Sequence, residues 1–159
     1  MRRTVSSDST HTTPLGGSSG DERPNIGVLL REPFQEVVRR VSAGLAEAGF
    51  DDLRPAHTAV FQHIEAGGSR LTDLAERAQI TKQSMGYLVD DLERHGYLER
   101  RPDSTDRRAT LICLTERGWD QIRAALAIIA SIEAEWTAEL GERRMQQLRD
   151  ALQTLGGPR

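Results

Sequence analysis

The chain has 159 residues, of which 37% are hydrophobic and 28% are charged, and its formal net charge is −3. This composition supports one domain of ordinary size with a buried core and excludes a wholly disordered chain. No stretch approaches the roughly 18 apolar residues of a membrane-spanning helix. The single cysteine, Cys113, excludes an internal disulfide framework and a zinc site with paired cysteines, so we expect a cytoplasmic protein.

Residues 1–24 form a first segment that differs in composition from the rest of the chain. They are rich in serine, threonine and glycine and hold few apolar side chains to repay the entropy of ordering. We predict a disordered tail here, part of which could be an expression tag.

An N-terminal helix is predicted within residues 25–50. Asn25 is its candidate N-cap, Gly49 ends the pattern, and Pro33 predicts either a kink or a later start. Its apolar residues, which recur at helical spacing, are Leu30, Phe34, Val37, Val38, Val41 and Leu45. A second, shorter helix is predicted to begin at Pro55 and to end before Gly67. Its apolar face holds His57, Val60, Phe61 and Ile64.

The segment after Gly68 predicts two helices joined by a very short turn. Thr72 is the candidate N-cap of the first and Thr81 of the second, and residues 78–80 must turn the chain between them. The buried face of the second helix is Met85, Leu88, Val89 and Leu92. Two helices joined so tightly, the second with a polar face, are typical of a helix-turn-helix.

Two short strands, 97–100 and 109–114, flank a polar loop and predict a hairpin of the kind called a wing. Thr115 is then the candidate N-cap of a long helix, and Gly141 separates it from a last helix. Their apolar residues, in a heptad-like pattern, are Trp119, Ile122, Leu126, Ile129, Trp136, Leu140, Met145, Leu148, Leu152 and Leu155. One small domain cannot easily bury these stripes and the first helix as well, which predicts a homodimer.

These elements predict a mainly α fold with a small β-wing. Residues 51–116 form a winged helix-turn-helix lobe, and dimerisation helices lie in 25–50 and 117–159. The run from Leu71 carries short motifs in a fixed order: Leu74-Ala75-Glu76-Arg77, Val89-Asp90-Asp91-Leu92-Glu93, His95-Gly96-Tyr97-Leu98, Asp106-Arg107-Arg108-Ala109 and Leu114-Thr115-Glu116-Arg117-Gly118. In this order and spacing they resemble the MarR (multiple antibiotic resistance regulator) family of winged helix-turn-helix transcription regulators.

The sequence departs from that family pattern at two positions. Gln79 stands where the turn usually has glycine, and a left-handed glutamine costs up to ~1 kcal/mol. Gly86 lies inside the second helix of the motif and costs a similar ~1 kcal/mol relative to alanine. Both strain the lobe without forbidding the fold.

The first turn of that second helix holds the candidate DNA-reading residues, Thr81, Lys82, Gln83 and Ser84. A lysine there opposes the helix dipole, which favours contact with phosphate or a base edge over a merely tolerated surface lysine. Gln83 and Ser84 suit adenine or phosphate. Tyr87 could contact DNA or cover the core. The missing side chain at Gly86 would allow a close approach of DNA.

Asp106, Arg107 and Arg108 match the family's Asp-x-Arg wing element. The resemblance implies that Arg108 enters the minor groove and that Asp106 orients it; the alternative is a solvated charged turn. A guanidinium suits a narrow, electronegative groove. The numbers of basic and acidic residues between Arg70 and Arg108 are equal. DNA binding must therefore depend on where individual basic side chains lie, and we expect it to weaken steeply as the salt concentration rises.

The resemblance also implies a small aromatic or phenolic effector bound between the dimerisation helices and the DNA-binding lobe. The candidate contacts are His57, Phe34, Phe61 and Trp119. His57 has an alternative as a satisfied core or interface histidine. Cys113 is predicted to be a buried small hydrophobe. We expect no metal, since His57 and His63 lie on opposite faces, and no cofactor or catalytic motif.

The function that the sequence favours is therefore a DNA-binding transcription regulator, expected to be a repressor, that binds a pseudo-palindromic operator as a homodimer. Its partners are double-stranded DNA and a second copy of the chain. The alternative is a helical dimerisation or scaffold protein whose winged domain no longer binds DNA. Lys82 and the run from Asp106 to Arg108 argue against that alternative, because a degenerate domain has no reason to keep them.

Overall fold

A computed structural model describes residues 24–103, 106 and 109–157. They fall in two compact units, one ending at Glu36 and the other beginning at Val37. The helices are α1 (Ile26–Glu47), α2 (Thr58–Phe61), α3 (Leu71–Arg77), α4 (Lys82–Arg94), α5 (Glu116–Leu140) and α6 (Glu142–Gly156), and the strands are β1 (Leu98–Pro102) and β2 (Thr110–Leu114). The predicted fold class, mainly α with a small β-wing, is confirmed.

The two strands form an antiparallel hairpin in which Leu98 lies opposite Leu114 and Pro102 opposite Thr110. Ser69, just before α3, joins the edge of this hairpin. Its N–H donates to the carbonyl of Ile112 at 2.9 Å, and the N–H of Ile112 donates back at 2.8 Å. This bridge ties the start of the helix-turn-helix to the wing.

One hydrophobic core holds α2, α3, α4 and the hairpin together. Its buried members are Val60, Leu74, Ala75, Met85, Val89, Leu92, Tyr97, Leu98, Ile112 and Leu114. The apolar face of α4 predicted from the sequence is confirmed, since Met85, Val89 and Leu92 are fully buried. Burial of each such side chain stabilises the fold by roughly 1.5–3 kcal/mol, so this face fixes the depth at which α4 sits.

Three helices end in the same hydrogen-bonded motif, with a left-handed residue just past the last turn. After α1 this residue is Gly49 (φ 90°), after α4 it is Gly96 (φ 76°), and after α3 it is Gln79 (φ 54°). In the α3–α4 turn the N–H of Ile80 donates to Ala75 at 3.0 Å, the bond that closes a Schellman motif. The left-handed backbone expected at Gln79 is therefore confirmed.

The predicted N-caps are confirmed at three helices. The side chain of Asn25 accepts from the N–H of Val28 at 3.1 Å. Thr81 caps α4 and Thr115 caps α5, each accepting an N–H three residues on. Thr72 as the cap of α3 is wrong. Arg70 occupies that position in extended backbone, because the hairpin bridge at its neighbour keeps the chain extended up to the start of the helix.

Other boundaries also differ from the prediction. The second helix is a 3-10 turn, Pro55–His57, followed by the single turn α2, so Ile64 lies beyond it. There the N–H of Glu65 donates to the hydroxyl of Ser69 at 3.0 Å. Tyr97 and Ala109 lie outside the strands, because their N–H groups donate to Leu92 and Asp106 instead.

Three further findings bear on the predictions. α1 runs through Pro33 without a later start. Cys113 is half-buried, not buried, because it lies on the side of β2 that faces Gly68 and away from the core. Glu133, the gap in the apolar pattern of α5, pairs with Arg149 of α6 at 3.2 Å. In the part of the chain that the structure describes, no helix has the length and apolar character needed to cross a membrane.

Candidate nucleic-acid interface

The first turn of α4 stands exposed on the surface of the lobe. The hydroxyl of Thr81 accepts from the N–H of Ser84 at 3.1 Å and donates to the hydroxyl of Ser84 at 2.8 Å. Lys82 and Gln83 lie between them, and all four residues are exposed. Because Met85, Val89 and Leu92 of the same helix are buried in the core, this polar turn faces away from the core.

Lys82 differs from the other basic residues of the lobe that the structure describes. Within the described residues no carboxylate lies at ion-pair distance from it, and the first turn of α4 contains no acidic residue. The arginines nearby are engaged: Arg94 with Asp91, Arg100 with Asp90 and Glu93, and Arg101 with Glu99. Among the described residues of the lobe, the positive charge without an ion-pair partner thus lies at the tip of α4, where helix N–H groups add to it.

Tyr87 lies one turn further along α4. The residue is 65% exposed, so it does not cover the core, and its hydroxyl accepts from the amide of Gln83 at 3.1 Å. Gly86 beside it has room for a side chain, since an added Cβ would lie 3.9 Å from the nearest atom, Cδ2 of Leu71. Core packing therefore does not require a glycine there.

In the wing, Arg107 and Arg108 lie outside the described residues. Asp106 is exposed, and its carboxylate lies 3.6 Å from the guanidinium of Arg70. The same guanidinium donates to the buried carboxylate of Asp103 at 2.7 Å. Arg70 thus links the start of α3 to the base of the wing, a role that sequence reasoning missed.

The candidate effector residues fall in different environments. His57 is 1% exposed, and both of its ring nitrogens have partners: Nδ1 accepts from the N–H of Arg54 at 3.1 Å, and Nε2 lies 3.0 Å from Asp91. Burial and the charge of Arg54 lower the pKa of His57. Phe61 and Trp119 are half-buried against the core of the lobe. Phe34 lies exposed on α1, in the other compact unit. An effector role for these four residues stays a prediction.

A second polar cluster surrounds Tyr97, which sequence reasoning did not single out. Its hydroxyl donates to Asp52 and accepts from Arg117 at 2.9 Å, and the guanidinium lies 4.6 Å above the tyrosine ring. Burial and Asp52 raise the pKa of Tyr97 to about 12. This cluster ties the α1–α2 connection to the start of α5. In the described ranges, no group of three His, Cys, Asp or Glu side chains could hold a metal ion.

Comparison with known proteins places these features in a family. The sequence profile of the MarR family matches residues 51–109. An uncharacterized HTH-type transcriptional regulator of Bacillus subtilis, YdcH, is 30% identical over 114 residues, which cover 70% of this chain and 78% of that protein. The transcriptional repressor MdtR of the same species is 25% identical, with 77% and 78% of the two chains covered. CouR from Rhodococcus jostii, whose crystal structure was solved bound to p-coumaroyl-CoA, is 28% identical in sequence to this chain. The two structures match with a TM-score of 0.65, covering 85% of this chain and 94% of CouR.

Proposed function

We propose that this chain, which belongs to the MarR family of transcription regulators, represses transcription by binding a pseudo-palindromic DNA duplex as a homodimer. One observation carries the proposal: the polar first turn of α4 is exposed, while the opposite side of this helix is fully buried. A helix supported in this way can enter a major groove without losing its shape.

Each residue of that turn has a chemical role in the proposal. Lys82, which no carboxylate neutralises in the described structure, contacts a phosphate or a guanine. Gln83 reads an adenine edge through its amide, and Thr81 and Ser84 contact phosphates and fix the register. Tyr87, which is exposed one turn further along α4, would contact the next base. The position of Gly86 allows the backbone of α4 to approach the groove closely.

The wing supplies the second contact in the proposal. Arg108 would enter the flanking minor groove, with Arg107 beside it and Asp106 as the carboxylate that orients the guanidinium. Arg70, paired with Asp103 and Asp106, supports this arrangement by tying the wing to α3.

Dimerisation is supported by the apolar side chains that the terminal helices leave exposed. On α1 they are Ile26, Leu29, Leu30, Phe34 and Val38, and on α6 they are Leu148, Leu152 and Leu155. Soluble monomers rarely expose so many large apolar residues on one element. A two-fold dimer would place two copies of α4 in successive major grooves, about 10 bp apart. Sedimentation at micromolar concentration should give twice the 17.7 kDa mass of the chain.

The remaining parts of the proposal follow from this mode of action. A dimer bound across a promoter represses by excluding the polymerase, and this requires neither a cofactor nor a catalytic step. The chain would act in the cytoplasm, where the DNA of a bacterial cell is accessible.

Release from DNA by a small aromatic effector belongs to the same proposal. It is supported by the relative CouR, whose structure was solved with an aromatic acyl-CoA. Within the lobe the effector would contact Phe61 and Trp119, whereas reaching His57 requires displacing Arg54 or Asp91. If His57→Ala leaves ligand-induced release unchanged, the contact with His57 is refuted.

The experiment that tests DNA binding selects duplexes from a random pool and titrates the best one at two salt concentrations, with genomic fragments as competitors. Arg108→Ala should weaken binding to all duplexes and lower the salt slope by about one per site lost. Gln83→Ala should change the preferred base at one position per half-site, by ~1–3 kcal/mol. Arg123→Ala, an exposed arginine on α5, is the matched control. An intact dimer that binds no fragment better than random DNA would leave the scaffold alternative standing.

A further inference from the structure

Asp91 is an acidic residue in the last turn of α4, the helix whose first turn makes the proposed DNA contact. It is 6% exposed, although a carboxylate is rarely buried unless it is paired. Its carboxylate accepts hydrogen bonds from Arg54 and from Nε2 of His57, at 3.0 Å for the latter, and from Arg94 at 2.5 Å. α4 is therefore anchored to the 3-10 turn by directional bonds as well as by apolar packing.

The imidazole of His57 can make both of its bonds only in one neutral form. Nδ1 accepts the N–H of Arg54, so the ring hydrogen must lie on Nε2, where it is donated to Asp91. A second proton would have to be added at Nδ1, directly against the N–H of Arg54. Protonation therefore breaks the bond that holds the histidine in the 3-10 turn.

The charged and titratable groups around His57 come from two elements. Arg54 is the N-cap of the 3-10 turn, and Asp91, Arg94 and His95 belong to α4 and its C-cap. α2, which follows the turn directly, contains no ionisable side chain. Burial and Arg54 oppose a charge on the ring more strongly than Asp91 favours it, so the pKa of His57 is lowered from 6.5.

We propose that Asp91 is a positioning residue for DNA reading: through Arg54 and His57 it fixes the tilt of α4, and protonation of His57 loosens this anchor. The inference rests on the proposed function. Lys82 lies nine residues before Asp91, or about 13 Å along the helix axis, so a tilt of about 5° displaces the tip of α4 by about 1 Å. The apolar contacts of α4 set its depth but are non-directional and resist such a tilt weakly.

A displacement of this size has different effects on the two kinds of DNA contact. Base edges are read by bidentate bonds of fixed geometry, whereas phosphate contacts position the protein without carrying sequence information. Loosening the anchor should therefore reduce specific binding and leave non-specific binding unchanged. The quantity to measure is the ratio of affinities for the best duplex of a random pool and a random duplex of equal length.

The first variant pair is Asp91→Asn and its matched control Asp90→Asn, compared in the full-length protein at pH 7.5. Asp90 is the adjacent residue on α4, but its side chain is exposed and pairs with Arg100. We expect Asp91→Asn to lower the affinity ratio about tenfold, the value of one base contact, with unchanged affinity for the random duplex. Asp90→Asn should leave the ratio unchanged. Equal ratios for Asp91→Asn and the unchanged chain would overturn the inference.

The second variant, His57→Gln, tests the anchor in a chain that keeps Asp91. Its result is therefore valid even if Asp91→Asn fails to fold. Glutamine at the third position of a helical turn can accept the N–H of the cap residue, and its amide can also donate to Asp91, but it does not titrate. The affinity ratio of the unchanged chain should fall as the pH is lowered from 7.5 until it passes the pKa of His57, which burial and Arg54 hold below 6.5, and that of His57→Gln should not.

Identical pH profiles in the two proteins would overturn the inference while leaving DNA binding established. An unchanged chain that binds no duplex better than random DNA at pH 7.5 would overturn the proposed function, and this inference with it.

Discussion

Replacing Gly118 with alanine perturbs a close contact between the first turn of α5 and the residue before β1. A Cβ added at Gly118 would lie 2.3 Å from the carbonyl oxygen of Tyr97 and 2.9 Å from Cδ2 of Leu114. The carbonyl cannot simply rotate away, because it accepts the N–H of Thr115 at 3.0 Å. The new methyl group must therefore push α5 away from the hairpin.

The expected magnitude combines three effects. Overpacking costs typically ~1–3 kcal/mol, and the upper part of this range applies because the contact is with backbone. Losing the hydrogen bond between Thr115 and Tyr97 adds ~1 kcal/mol, and the better helix propensity of alanine returns at most ~1 kcal/mol. The free energy of unfolding should fall by about 2–3 kcal/mol, which corresponds to about 5–10 °C in Tm for a chain of this size.

The assay is urea and thermal unfolding at a fixed protomer concentration, because the stability of a dimer depends on concentration. Gly86→Ala is the matched control. It makes the same chemical change in another helix, but its Cβ would meet its nearest neighbour at an ordinary 3.9 Å. This variant should be more stable by up to ~1 kcal/mol and should bind DNA more weakly. A stability of Gly118→Ala within about 0.5 kcal/mol of the unchanged chain would refute the packing argument.

Three further predictions concern the turn and the two polar clusters. Gln79→Gly should raise the free energy of unfolding by up to ~1 kcal/mol, because glycine relieves the left-handed strain. A urea midpoint lower than that of the unchanged chain would contradict this. Tyr97→Phe should cost about 1–2 kcal/mol by leaving Asp52 and Arg117 without the buried hydroxyl. Since the pKa of Tyr97 is raised to about 12 from 10.0, its stabilisation is present below pH 10 and is lost as the pH rises toward 12, so only the unchanged chain should show this loss in urea titrations. The pKa of His57 is lowered from 6.5, so its stabilisation is full above pH 6.5 and is lost as the pH falls; His57→Gln should flatten this acid limb of the unfolding free energy.

Several features of the fold were predictable because they depend on residues close together in the chain. The N-caps at Asn25, Thr81 and Thr115 bond to an N–H only three residues on. The left-handed turn at Gln79 follows from the two short helices that must meet there. The same locality explains why the ordered motifs predicted the MarR family and the exposed turn of α4.

The boundaries that were predicted wrongly depend on partners elsewhere in the chain. α3 begins at Leu71 and not after Thr72 because Ser69 pairs with Ile112, a residue of the wing that is distant in sequence. The second helix is shorter than its apolar pattern, because Ser69 also captures the N–H of Glu65. Hydrophobic periodicity alone contains no information about such competing acceptors.

The sequence by itself determined the order of the elements, the caps at Asn25, Thr81 and Thr115, and the polar tip of α4, since propensity and spacing act over a few residues. Only the tertiary structure decided which charges are buried. Asp90 and Asp91 are adjacent acidic residues, yet one is exposed and the other is buried against Arg54 and His57. Arg70 likewise meets Asp103 across 33 residues of chain. From the sequence, a run of charged residues predicts a solvated surface. Packing against distant elements can bury one of these residues, and a buried charge must then be paired. Residue type alone does not show which residue of the run is buried.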